Sequence, residues 1–222
     1  MLSPHRPVWL LILSFLPLIA CIGFFDRHMA QWLLPLYNQT LPLLLPDSWH
    51  IFPLQVVQEG REAFISVRVE TLASLPLAGR LIPAGLGMNG STLLGHAFQP
   101  PLLTLHMLLA WFYMSPGRKI GPAILALLFL LLLECVDVPL VLAGSLWDIL
   151  HANIAPDSPL PWQARAMHLL NGGGRQALAL AAGLSAITLG SRLQARLNEH
   201  GFLRGSEEDT VLPQGKTAEC DV

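Results

Sequence analysis

Charge is what this chain has least of. Of its 222 residues, 13% are charged and 53% are hydrophobic, whereas soluble domains carry about 25% charged residues. That scarcity points to a polytopic membrane protein. The net charge of −2 leaves no basic field, so nucleic acid is not an expected partner. Cysteine is scarce too: Cys21, Cys135 and Cys220 fit no zinc or redox spacing, and an odd number argues against a disulfide framework. No HExxH helix, phosphate loop, low-complexity tract or internal repeat occurs, so neither a metal nor a cofactor is expected.

What the chain has in quantity is long apolar runs. Four are long enough for a bilayer core, which takes about 20 helical residues: 7–25, 93–114, 121–144 and 166–190. The second carries His96, Gln99, Pro100, Pro101 and His106, and a bend near its outer end is expected. Arg6, Arg118, Lys119, Arg192 and Arg196 all fall on one side of this arrangement, which predicts that both termini are cytoplasmic. Trp9, Trp111, Trp147 and Trp162 lie near span ends, as interfacial anchors do. A competing reading of the first span is a lipoprotein signal, since "LIAC" at 18–21 could be cleaved before Cys21. The residues "IGFF" that follow continue the apolar run and favour an uncleaved anchor.

The fold class expected is therefore a mainly α membrane protein. It has four transmembrane helices, with a small extracytoplasmic β-hairpin and an interfacial helix between the first two. Its divisions are a start and anchor over 1–25, an outer element over 26–92, a three-helix bundle over 93–196 and a disordered cytoplasmic tail over 197–222. Within the outer element, 29–46 mixes leucines with prolines at 35, 42 and 46 and predicts a short, interrupted interfacial helix. "WHIFPLQVVQ" and "AFISVRVETL" flank "EGRE"; in the second run Ile65, Val67 and Val69 alternate with Ser66, Arg68 and Glu70. That period of two predicts a hairpin with one apolar face. Two strands alone are marginal in water, so the face needs cover from the interfacial helix, the membrane or another protein. The segment 81–91 reads as a loop.

The few polar residues of the last three spans fall at overlapping depths. They are His96, Gln99 and His106; Glu134 and Asp137, with Asp148 just beyond; and His168, Asn171 and Arg175. At about 100° per residue, each set shares a helix face. An ionisable group facing lipid costs several kcal/mol, so these faces should meet inside the bundle. Arg175 is the natural counter-ion for one carboxylate. The second must be protonated, wet or paired with a histidine, and that mismatch argues for a role beyond structural pairing. Three readings stand: a structural polar core, a catalytic or proton-handling site, and a metal site. The glycines of "NGGGRQ", 171–176, suit close helix packing or local unwinding beside Arg175.

An anchor, a Leu/Pro-rich outer segment, a hairpin with a "VRVET" strand and a small helical bundle together resemble the accessory membrane proteins that accompany exosortases. The resemblance covers the layout of residues 5–115. It implies a non-catalytic accessory or scaffold protein in a bacterial protein-sorting, export or surface-assembly system, in the inner membrane. Its partners would be the lipid bilayer and a protein docking on the hairpin at Ile65, Val67 and Val69. Exosortases themselves are thiol transpeptidases that use a cysteine, an arginine and a histidine. Cys135 and Arg175 lie in comparable places, but "LECVD" departs from the family's cysteine motif and no histidine follows Arg175 within the membrane. The alternative kept open is an intramembrane enzyme or proton-coupled component centred on the polar cluster.

Overall fold

In the computed structural model of the chain, the described residues are 20, 27–77, 79–114 and 120–208. Apart from residue 20, the anticipated start and first span, with Arg6, Trp9 and Cys21, lie outside them, as do Arg118, Lys119 and residues 209–222.

The described chain opens with helix α1 over 27–40, which passes into a 3-10 turn, Leu41–Leu44, where Pro42 ends the α-helical pattern. Strands β1 (Trp49–Ile51), β2 (Gln55–Glu59), β3 (Glu62–Thr71), β4 (Leu75–Leu77), β5 (Arg80–Ile82) and β6 (Gly87–Leu93) follow. The helices after them are α2 (Leu94–Ala97), α3 (Gln99–Met114), α4 (Ile120–Ile154), α5 (Trp162–Leu169) and α6 (Arg175–Glu208).

The β2–β3 hairpin forms as the alternation predicts. Glu59 faces Glu62 across a turn in which Gly60 takes a φ of 63°, a left-handed conformation that glycine adopts without steric cost. β3 is the central strand of a larger sheet. β1 and β2 lie end to end along one edge of it, and β6 pairs antiparallel along the other, from Phe64↔Leu93 to Glu70↔Gly87. The 81–91 segment thus yields most of a strand instead of a loop. β4 and β5 form a separate two-stranded ribbon. Thr71 ties the returning chain down: its Oγ1 donates to the Pro83 carbonyl at 2.8 Å and accepts from the Leu86 N–H at 2.9 Å.

Ile65, Val67 and Val69 are buried, and their cover comes from this chain. A single core gathers them with Ala30, Tyr37 and Leu41 and with Val138, Leu142, Ala143, Leu146 and Leu150 of α4. The fit of sheet on helix is close at Gly90, where an added Cβ would lie 2.8 Å from Ser145 Oγ and 3.1 Å from Leu146 Cγ. Trp147, expected as an interfacial anchor, instead stacks on Trp49 with ring centroids 5.2 Å apart. The core crosses the division expected at 92/93, because α4 serves both the sheet and the helices.

The four-transmembrane-helix fold class needs correction. Among the described residues one helix, α4, is long and apolar enough to cross a membrane. The run 93–114 begins at the last residue of β6, and after the short α2 leaves α3 with 16 residues, fewer than the roughly 20 a crossing requires. Pro100 and Pro101 stand in the first turn of α3, where proline is tolerated, so they start a helix instead of bending one. The run 166–190 is broken at Leu170–Gly174 by a single wide turn in which Gly173 has a φ of 114°. The outer element is also larger than a hairpin: six strands in two sheets. At the C-terminal end, α6 continues to Glu208, so residues 197–208 of the expected tail are helical.

Helices α3, α4 and α6 pack side by side. Contacts from Gln99 to Gln176, Thr104 to Ala179 and Met107 to Gly183 make α3 and α6 parallel. Contacts from Gly121 to Gln194 and Asp137 to Arg175 make α4 antiparallel to α6. Glycines allow the closest approach: a Cβ on Gly190 would sit 2.5 Å from the Pro122 backbone.

Candidate functional site

The polar residues that come together lie where α4 leaves the cover of the sheet. Glu134 and Asp137, three residues apart, point from one face of α4 into the interior, 3% and 1% exposed. Arg175 is the first residue of α6 and is equally buried. Its position follows from the glycines before it. The turn Leu170–Gly174 needs the left-handed Gly173, and a Cβ on Gly174 would lie 2.7 Å from the Leu169 carbonyl oxygen. Local unwinding at "NGGG" thereby aims Arg175 at α4, and its Nε–H donates to Asp137 Oδ1 at 3.0 Å.

Glu134 has a different partner. The hydroxyl of Tyr37, from α1, donates to Glu134 Oε2 at 2.7 Å. Tyr37 is fully buried. Burial and then the neighbouring Glu134 charge hold its phenol above the ordinary tyrosine range, so it stays a donor. Of the two acids, Asp137 thus faces the arginine and Glu134 a neutral hydroxyl, which bonds the carboxyl group without balancing a charge. Beside this group, Gln176 Nε2 donates to Gln99 Oε1 at 2.8 Å and links α6 to α3.

Of the eight residues expected to cluster, the structure joins Asp137 to Arg175, places Glu134 one turn away on α4 with Tyr37 as its partner, and sets the Gln99–Gln176 bond next to them. His106 lies partly buried on α3, while His96 and Asn171 are exposed. His168 is also exposed and meets Asp148 at 3.1 Å near the start of the bundle, away from the buried acids. Cys135 is half-buried on α4, and no hydrogen bond joins it to Arg175 among the described residues. Tyr37 and Gln176 were not anticipated. Gln176 adjoins Arg175 in sequence and could have been taken with it. Tyr37 carries no charge and lies 97 residues from its partner, so nothing local marks it.

Two kinds of chemistry are open to such a group. The paired atoms can lock three helices in register, as buried polar pairs do when both partners are in place. Glu134 Oε1, Asp137 Oδ2 and Arg175 Nη2 are buried without a hydrogen-bond partner among the described residues; of these, the two carboxyl oxygens can take and release a proton, whereas the guanidinium stays charged. No group of three or more His, Cys, Asp and Glu side chains able to hold a metal ion occurs among the described residues. No family model, no curated protein and no solved structure matches this chain.

Proposed function

We propose that this chain is a membrane-seated, non-catalytic accessory or scaffold subunit of a bacterial protein-sorting, export or surface-assembly system, placed at the inner membrane. The observation that carries this reading is how the most reactive residues are used. Glu134 is held by Tyr37 of α1 and Asp137 by Arg175 of α6, so the acids serve to fasten helices. The exposed aliphatic side chains of α4, from Ile120 to Val136, support contact with lipid.

The surface for a partner protein falls elsewhere than on Ile65, Val67 and Val69, which the core covers. β2 pairs with β3 on one side, and its other edge has no strand partner among the described residues. With Glu59 and Glu62 closing the hairpin, the alternation of an antiparallel ladder turns the N–H groups of Val56 and Gln58 outward. An extended segment of an exported partner can add to such an edge.

Affinity purification from native membranes tests the reading. A partner should co-purify, and Gln58→Pro, which removes an outward N–H, should release it without unfolding the chain. Recovery of a lone folded monomer would count against a scaffold. A second reading, a proton-handling component, is favoured by the unpartnered Glu134 Oε1 and Asp137 Oδ2. The double variant Asp137→Leu, Arg175→Met separates the two, because it removes both charges together. A scaffold keeps its partner in that variant, whereas a proton-handling component loses its activity although the complex forms.

A further inference from the structure

Between α3 and α6 runs a groove of about 420 Å³ lined by Met107, Ala110, Trp111, Leu184, Ile187 and Thr188, with Ser191 at its end. Its surface is apolar despite the hydroxyl of Thr188. That Oγ1 donates back to the Leu184 carbonyl at 2.9 Å, which leaves the methyl group to the groove. Leu184 and Thr188 are exposed, so the groove opens sideways from the bundle. An apolar cavity of about 150 Å³ accepts benzene, so this groove has room for an alkyl chain of on the order of a dozen carbons.

The end of the groove carries charge. Arg192 lies one turn beyond Thr188 on α6 and Arg196 one turn beyond that, so both continue the groove stripe. Both are exposed, and neither makes an ion pair among the described residues. A slot for an alkyl chain that leads to two unneutralised guanidinium groups is complementary to an amphiphile with an anionic head. Guanidinium matches phosphate oxygens with paired donors.

We infer that this groove binds an anionic phospholipid, one acyl chain lying between α3 and α6 and the phosphate held by Arg192 and Arg196. The inference rests on the lipid contact in the proposed function and deepens it by naming a site and a headgroup charge.

The test uses the full-length chain in mild detergent, mixed with vesicles of dioleoyl phosphatidylglycerol or of dioleoyl phosphatidylcholine. Native mass spectrometry then counts the lipid retained. Phosphatidylglycerol should be retained in preference to phosphatidylcholine by on the order of thirtyfold, the scale set by two arginines near a charged surface. Arg192→Glu with Arg196→Glu should abolish that preference. Thr188→Trp, which fills the groove from its open side, should lower retention of both lipids. Glycerol phosphate, which has the head without the chain, should not be retained. Equal retention of the two lipids, or a preference that survives the arginine reversal, would overturn the inference. So would retention of glycerol phosphate. Should Thr188→Trp fail to fold, as read by circular dichroism, the surface arginine pair decides alone. Failure of the wild-type chain to enter either vesicle would strike at the membrane reading itself.

Discussion

The two halves of α4 are built from similar residues and meet opposite fates. From Val138 to Leu150, Val138, Leu142, Ala143, Leu146 and Leu150 lie under the sheet and α1, with Val138, Leu142 and Leu146 wholly buried. From Ile120 to Val136, a stretch of about 25 Å, Ile120, Ile124, Leu127, Leu131 and Val136 stand exposed, Leu127 by 70%. The bare half is close in length to a bilayer core of about 30 Å. Glu134 and Asp137 mark the boundary between the halves. The lesson is that an apolar helix carries no label for what will cover it. Here one half takes its cover from this chain, and the other leaves an aliphatic surface of the kind that marks a lipid or protein contact.

The largest expected effect is at that boundary. Removing one partner of the Asp137–Arg175 pair, by Asp137→Leu or Arg175→Met alone, strands the other charge in the interior. Each should cost about 3–5 kcal/mol in chemical unfolding, whereas the double variant should return close to the wild type. If either single change were neutral, the boundary would not be dry and the division of α4 would lose its physical basis. Next in size is the direct contrast between the halves. Leu146→Ala should cost about 2–5 kcal/mol, because it opens a cavity under the sheet. Leu127→Ala should stay within about 0.5 kcal/mol in the same detergent. Equal costs at the two positions would break the comparison.

How much of this could be read from the residues depends on what each element needs from elsewhere. The β2–β3 hairpin is local: a two-residue turn with Gly60 and a strict alternation specify it, and the burial of Ile65, Val67 and Val69 follows the pattern. The meeting of Glu134, Asp137 and Arg175 was legible because charges in apolar helices have few places to go. β6 was not legible, since "GMNGSTL" reads as a loop until Gly90 is placed against Ser145 and Leu146. Strand identity there is decided by the helix it must approach. The four spans failed for a related reason. Apolar length alone does not separate a core helix from a crossing one, and the breaks at 93–98 and at Leu170–Gly174 depend on where the sheet and Arg175 dock.

Tyr37 sharpens the boundary from the side of α1. Tyr37→Phe keeps the ring in the core but leaves Glu134 Oε2 buried with no donor, and should cost about 1–3 kcal/mol. Adding Glu134→Leu to that variant should recover most of the loss, since both polar partners are then gone. A loss that persists in the double variant would place the contribution of Glu134 elsewhere, at its second oxygen.

The smallest effect is the most useful control, because it compares two contacts made by acids of the same helix, one to a histidine and one to an arginine. Asp148 meets His168 at 3.1 Å as Asp137 meets Arg175 at 3.0 Å, but the first pair is 40% and 52% exposed. Distance alone would rate them equal. Water around Asp148 and His168 screens the attraction and replaces the bond when it breaks, so His168→Ala should cost about 0–1 kcal/mol. That small cost should fall further on raising salt, since an exposed pair is screened by ions, while the cost of Arg175→Met should be unaffected. Unfolding of both variants at low and high salt reads the difference. A His168→Ala cost that matched the buried pair would mean that the start of the bundle is covered by something other than water, and that the covered half of α4 extends beyond the sheet.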